Sequence, residues 1–285
     1  MNITMKLKKL YSIFKLCRVN ELCLIIPFAL VTVLMLCRTN FNLQIFLFTA
    51  LALSCGFMAG CAFNGLSDKE FDSQNPRTKN RPMAQETIKT EEVFIIIAIL
   101  GAGTILFTCL VSPILILLLP IPAALCAFYS LSKRYTWFCH LLIGIVHAIC
   151  PISVAIVFNE VFNLTTILIT AVVIISTTET DLLYSIPDAK YDATLNLKSI
   201  PVVFGKKISM LISFVCYLLS LCTQVLLFRI LSFGVVPIIL ICMANLILLC
   251  NHLFMYFKVI ESKYILFNYQ AFILFITMAT VINVV

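Results

Sequence analysis

Two sets of oxygen-bearing side chains recur at a fixed interval in an otherwise apolar sequence. Asn64, Asp68 and Asp72 follow one another every four residues, and Tyr184, Asp188 and Asp192 do the same. On a helix each step of four turns a side chain only ~40° past a full turn and climbs ~6 Å, so each set stays on one face across ~12 Å. A ladder of this kind suits Mg²⁺, which is held by one or two carboxylates, its own waters and substrate phosphates. Basic residues supply the complement. Arg77, Lys79 and Arg81 follow the first ladder, Lys190 and Lys198 interleave with and follow the second, and Lys133 and Arg134 lie within reach. Arginine offers a planar fork to phosphate oxygens and lysine a compact charge. Acid and base gathered this way point to a metal-bound diphosphate.

The elements that position these groups must live in lipid. Hydrophobic residues fill 62% of the 285 positions and charged residues 12%, against roughly half and a quarter in a soluble domain. Runs such as 22–37, 94–119 and 208–228 are long enough to cross a hydrocarbon core, which takes ~20 helical residues. The sequence reads as all-α and polytopic, with about nine spans near 20–37, 42–62, 92–111, 113–131, 138–158, 163–180, 207–228, 233–257 and 264–285. Pro113 splits the third from the fourth by removing a backbone donor.

Lys and Arg positions test this count, because cytoplasmic loops collect positive charge. With the amino terminus inside, all but Arg38 and Arg229 of the 20 basic residues, including Lys258, fall on the cytoplasmic side. The net charge of +7 is then mostly a topology signal and gives no support to nucleic-acid binding. The polar interruptions 63–91 and 181–207 share that side as cytoplasmic caps. Residues 1–285 are expected to form a single transmembrane domain in a bacterial-type inner membrane. No small-residue cleavage site follows the first apolar stretch, so it reads as a retained span. The thirteen Cys include no C-x-x-C pair and read as packing residues.

Basic residues in such loops are ordinary topology determinants. The carboxylates are not, since topology does not require them. The matching intervals also hint at an internal duplication. Two histidines in the fifth span, His140 and His147, fit either interhelical packing or contact with an acceptor. Glu160 is expected to be solvated, Glu179 to support the second cap, and Trp137 to anchor a span end.

With these residues in view, the chain resembles the UbiA superfamily of intramembrane prenyltransferases. Its first signature matches Asn64, Asp68, Asp72 and the Arg77-Thr78-Lys79-Asn80-Arg81-Pro82 run. The second matches Asp181-Leu182-Leu183-Tyr184, Asp188, Asp192 and Lys198-Ser199-Ile200-Pro201, and a Tyr-x-x-x-Lys element matches Tyr129 to Lys133. The resemblance implies helices around a central cavity under polar caps, with a lateral opening to lipid. It implies Mg²⁺ as cofactor, polyprenyl diphosphate and an aromatic acid as partners, and transfer of the prenyl group onto the ring.

By the same match Asn64, Asp68, Asp72, Asp188 and Asp192 would be metal and diphosphate ligands. Arg77, Lys79, Arg81, Lys133 and Lys198 would contact phosphate, and Arg134 would orient an anionic acceptor. Tyr129 and Tyr184 would donate hydrogen bonds or turn their rings to a cation. Gly65 stands where many members carry an Asp, and Met83-Ala84-Gln85 replaces their usual turn after the Arg-Pro pair. The closest likeness is to 4-hydroxybenzoate polyprenyltransferases and related menaquinone-pathway members, which places the expected product in ubiquinone or menaquinone biosynthesis. Two other classes are weighed beside this one. A transporter would use intramembrane carboxylates as coupling-ion sites, and a prenyl-lipid-binding protein would need no paired ladders.

Overall fold

The computed structural model describes residues 3–36, 41–257 and 262–284, so Arg38 and Lys258 lie outside the described residues. The helices are α1 (Ile3–Leu16), α2 (Leu22–Leu36), α3 (Leu43–Ser67), α4 (Lys69–Gln74), α5 (Thr90–Val111), α6 (Pro113–Leu118) and α7 (Pro120–Ser132). There follow α8 (Cys139–Val157), α9 (Leu164–Ser185), α10 (Ala189–Thr194), α11 (Ile200–Ile230), α12 (Val235–Tyr256) and α13 (Ser262–Val284). Among the described residues no strand occurs. Among the described residues, nine helical segments are long and apolar enough to cross a membrane, with Pro113–Ser132 serving as one. The protein is an integral, multi-pass, all-α membrane protein.

Polar residues set where several helices begin. Asn42 accepts a hydrogen bond from the Ile45 amide at 3.1 Å, Asn163 from Thr165 at 2.8 Å, and Ser199 from Val202 at 3.4 Å. Each satisfies an amide that the first helical turn leaves without a partner. α3 packs on α5, α8 and α11 pack on α9, α12 packs on α13, and α13 returns to α2. The spans that start at Val19 and Leu164 are the most buried, and the others gather around them. In a bilayer hydrophobic burial cannot drive helix association, so interhelical packing and hydrogen bonds carry it. Gln224 of α11 and Asn245 of α12 exchange such a bond at 3.0 Å.

The sequence ends three spans too early or starts them too late. α3 runs to Ser67 instead of 62, and α9 to Ser185 instead of 180, so both ladders begin on membrane helices. The polar residues that suggested a loop face protein, as Ser67 does when its carbonyl accepts from Arg134 at 2.8 Å. α11 begins at Ile200, seven residues before the expected 207, and bends at Gly205, whose φ of 76° and ψ of 170° leave the helical region. Such a positive φ is open to glycine at little cost.

Candidate active site

Each ladder crosses a break in its helix. Asn64 sits in the last turn of α3, Asp68 caps that helix, and Asp72 lies in α4. Tyr184 sits in the last turn of α9, Asp188 in a 3₁₀ turn and Asp192 in α10. The breaks bend the two ladders toward a shared cleft at the cap end of the bundle. Asn64, Asp68, Asp72, Arg77, Arg81, Tyr129, Lys133, Tyr184, Asp188 and Asp192 all line it.

Charge pairs hold the caps together. Arg77 donates from Nε to Asp188 at 2.7 Å and from Nη2 to the other Asp188 oxygen, and its Nη1 reaches the Tyr184 hydroxyl at 2.6 Å. Its guanidinium also lies 4.6 Å from the centroid of the Tyr184 ring. Asn75 adds an amide hydrogen bond to Asp188 at 3.1 Å. Within the first cap Arg81 Nη1 donates to both oxygens of Asp72 at 3.0 Å, and Asn64 donates to Asp68 at 3.0 Å. Lys133 pairs with Asp192 across 3.7 Å, and the carbonyl of Lys133 accepts from the Lys198 amide at 2.6 Å.

Burial and charge act against each other here. Burial pushes the Asp68 carboxyl above the usual aspartate range, although Lys133, Arg81 and Arg18 pull the other way. Burial also opposes the charge on Lys133, but Asp192, Cys139, Asp181 and Asp68 more than offset it and raise its pKa. Arg77 follows the same pattern, with the Asp188 and Tyr184 contacts overcoming its desolvation.

Three expected residues stand elsewhere. Lys79 is exposed on the first cap and does not line the cleft. Lys198 turns its ammonium to the Tyr135 carbonyl at 3.3 Å. Arg134 bonds the Ser67 carbonyl and stacks 5.2 Å from the Phe71 ring, fastening the end of α3 instead of lining the cleft. In their place the cleft gains Arg18, Asn75 and Asp181. Asp181 is held by His140 Nδ1 at 2.7 Å, while His147 bonds its own helix at the Ile143 carbonyl, 2.9 Å away. Arg18 sits next to the first span with Glu21 at 3.5 Å, and no motif marks it. Asp181 does have a signal, since it precedes Asp188 by about two helical turns. Glu179, expected beside the second cap, is instead fully buried and 3.8 Å from His252. Two residues from Asp181, it faces about 200° away around α9.

A profile of the UbiA prenyltransferase family matches residues 25–277. The chain belongs to that family. Among solved structures, the apo structure of a UbiA homolog from Aeropyrum pernix K1 superposes with a TM-score of 0.85 at 23% identity, covering 93% of this chain and 98% of that one. A UbiA homolog from Archaeoglobus fulgidus bound to GPP and Mg²⁺ gives a TM-score of 0.66 at 14% identity, over 96% and 99% of the two chains. These likenesses show the fold. A 4-hydroxybenzoate octaprenyltransferase of Marinobacter nauticus is 34% identical over 149 residues, 52% of this chain and 50% of that one. One of Neisseria meningitidis is 31% identical over 157 residues, again 52% and 50%. The chain thus matches about half the length of these curated relatives.

The donor set fits a hard divalent cation shared with phosphate. Among the described residues no three carboxylate, histidine or cysteine groups converge on one point. Mg²⁺ needs only one or two carboxylates when substrate oxygens complete its shell. Asp192 Oδ2 is buried without a hydrogen-bond partner, since 3.7 Å to Lys133 is too long for one. Such an oxygen, buried beside a cleft, is suited to a cation.

Proposed function

We propose that this protein transfers a polyprenyl group from its diphosphate to the ring of an aromatic acid such as 4-hydroxybenzoate, with Mg²⁺, in the biosynthesis of a quinone. The observation that carries the reading is the pair of acidic caps joined across one cleft by Arg77–Asp188, with Lys133–Asp192 tying the second cap to the end of α7. Family membership and the names of the relatives support it, as do the Archaeoglobus fulgidus structures bound to Mg²⁺ with GPP or DMAPP. We further read residues 1–285 as one transmembrane domain whose caps face the cytoplasm, on the strength of the basic residues on that side.

Asn64, Asp68, Asp72, Asp188 and Asp192 would hold the metal. When bound, Mg²⁺ supplies positive charge that stabilises diphosphate as a leaving group. Arg77 and Arg81 bring guanidinium forks to the same cleft, and Lys133 brings a charge held on by its acidic neighbours. Placed where negative charge develops, these groups lower the barrier to breaking the allylic carbon–oxygen bond. The Tyr184 face is taken by Arg77, which leaves Tyr129 as the ring open to an allylic cation. Arg18 takes the part first given to Arg134, offering a cation to the acceptor's carboxylate. As the ring carbon bonds to the prenyl carbon, the ring proton leaves to Asp181, whose Oδ2 His140 holds.

The test is mass spectrometry of products from proteoliposomes given Mg²⁺, a set of prenyl diphosphates and candidate aromatic acids. A prenylated aromatic acid is expected, absent from Asp68→Ala and Asp188→Ala protein that still inserts. Full activity in either variant sinks the reading, and so does solute uptake with no prenylated product.

A further inference from the structure

Helix α1 has two apolar faces, and protein covers only one. On the inner face Leu16, with Ile13 beside it, packs among Ala62, Met83, Ile88 and Val93. Lys9 pairs with Glu92, and the Lys15 ammonium donates to the Asn80 carbonyl at 2.8 Å. The opposite face carries Leu7, Leu10, Tyr11 and Phe14, which are 59%, 50%, 69% and 48% exposed. Their spacing of three, four and seven puts them on one stripe about 100° wide. A helix lying against a protein in water turns polar groups outward, and this one turns out an aromatic and aliphatic stripe.

The position of the helix says what covers that stripe. Glu92 stands in the first turn of α5 and Asn80 in the first cap, so α1 lies along the level where the spans enter the bilayer. Only five residues, 17–21, separate it from α2. Helices of this pattern lie in the interface with the apolar face ~5–10 Å into the boundary of headgroups and acyl chains. Lys8 and Lys15 flank the stripe on one side, and among the described residues Lys8 has no carboxylate partner. That charge suits an anionic headgroup.

The helix also touches the site. A Cβ at Gly65, next to Asn64, would stand 2.7 Å from Leu16 Cδ1, so α1 rests directly on the chain that carries the first ladder. We propose that α1 is an interfacial helix that docks on anionic phospholipid in the leaflet on the cap side, and that this docking steadies the first cap through Leu16 and Lys15. The two contacts run from the lipid-facing helix into residues 64–93 with no intermediate element.

Trp137 is the one tryptophan in the chain, so fluorescence can be confined to α1. The full chain carrying Trp137→Phe and Phe14→Trp is placed in nanodiscs of phosphatidylcholine and phosphatidylglycerol, with acyl chains brominated or not. Bromine is expected to remove most of the emission; equal emission in both discs overturns the docking, whether the stripe meets water or a second copy. Tyr11→Trp in the same background repeats the reading if the first variant fails to fold. Steadying of the cap is read from trypsin cleavage at exposed Lys79. Replacing phosphatidylglycerol by phosphatidylcholine is expected to speed cleavage about five-fold for each lysine engaged, and Lys8→Glu to remove part of the difference. Cleavage independent of lipid charge overturns the coupling. Neither reading depends on turnover, so a failure of the proposed prenyl transfer leaves both intact.

Discussion

Asp188 receives two bonds from Arg77 and one from Asn75, yet Arg77 and Asp188 are 111 positions apart in the chain. The interval of four made both ladders legible in the sequence, because helical geometry converts spacing directly into a shared face. The arginine that joins them was legible only as a phosphate contact, since which carboxylate a guanidinium meets is decided by where the bundle places the two caps. Arg77→Ala removes the fork from a buried Asp188 and is expected to lower kcat about 10²–10³-fold, in line with loss of one preorganised donor. Arg77→Lys is expected to recover little, because an ammonium cannot make the two parallel bonds. Recovery to wild-type turnover in the lysine variant would reduce the role to charge alone. Asp68 carries a pH prediction. An ordinary aspartate ionises near pH ~4, and burial raises Asp68 above its usual value. Its carboxylate therefore takes up a proton sooner as pH falls, and Mg²⁺ competes with that proton. The Mg²⁺ concentration for half-maximal turnover should rise on acidification at a pH above ~4, and Asp68→Asn should flatten the rise in any activity left. A half-maximal concentration constant down to pH ~4 would count against Asp68 as a ligand.

At the scale of elements, span existence was readable and span ends were not. Hydropathy sees Asn64 and Ser67 as exits from the membrane, whereas in the fold these polar groups turn inward and the helix continues beneath them. The same blindness hides α1, because its lysines read as topology charge and its stripe of fewer than ~18 apolar residues falls short of a span. Gly205 shows the local version of the problem, because a helix-breaking φ of 76° cannot be read from an isolated glycine near lysines. A Cβ at Gly205 would meet nothing within 4 Å, so Gly205→Ala tests backbone conformation without a clash. It is expected to lower thermal stability in detergent by about 1–3 kcal/mol, the cost of a positive φ with an extended ψ for a residue with a side chain. The bend sets how Ser199 and Ile200 approach the second cap, so the KM for prenyl diphosphate should rise as well. Unchanged stability would show that α11 straightens at no cost.

Across the whole molecule, two helices connect regions of opposite character. α2 follows Arg18 at the polar cleft and about ten residues later, ~15 Å along its axis, places Phe28 and Val31 in an apolar pocket with Met35. α9 runs the other way, from Ile169 and Val173 in that pocket to Asp181 and Tyr184 in the cleft. The pocket is completed by Leu227 and Phe228 of α11 and by Phe272 and Ile273 of α13. The substrate of the proposed transfer, with a charged head and a long apolar tail, would match this polarity, its diphosphate between the caps and its tail directed along α2 and α9. Val173 is 2% exposed, so enlarging it fills space inside the bundle and not at its lipid face. Val173→Leu is expected to shorten the longest prenyl chain that is transferred while leaving turnover of short prenyl diphosphates within about three-fold, a change below ~1 kcal/mol. Products formed from a mixture of chain lengths, compared by mass spectrometry, decide the matter. An unchanged distribution would mean that the tail leaves sideways between helices into lipid instead of following α2 and α9 toward the far side of the membrane.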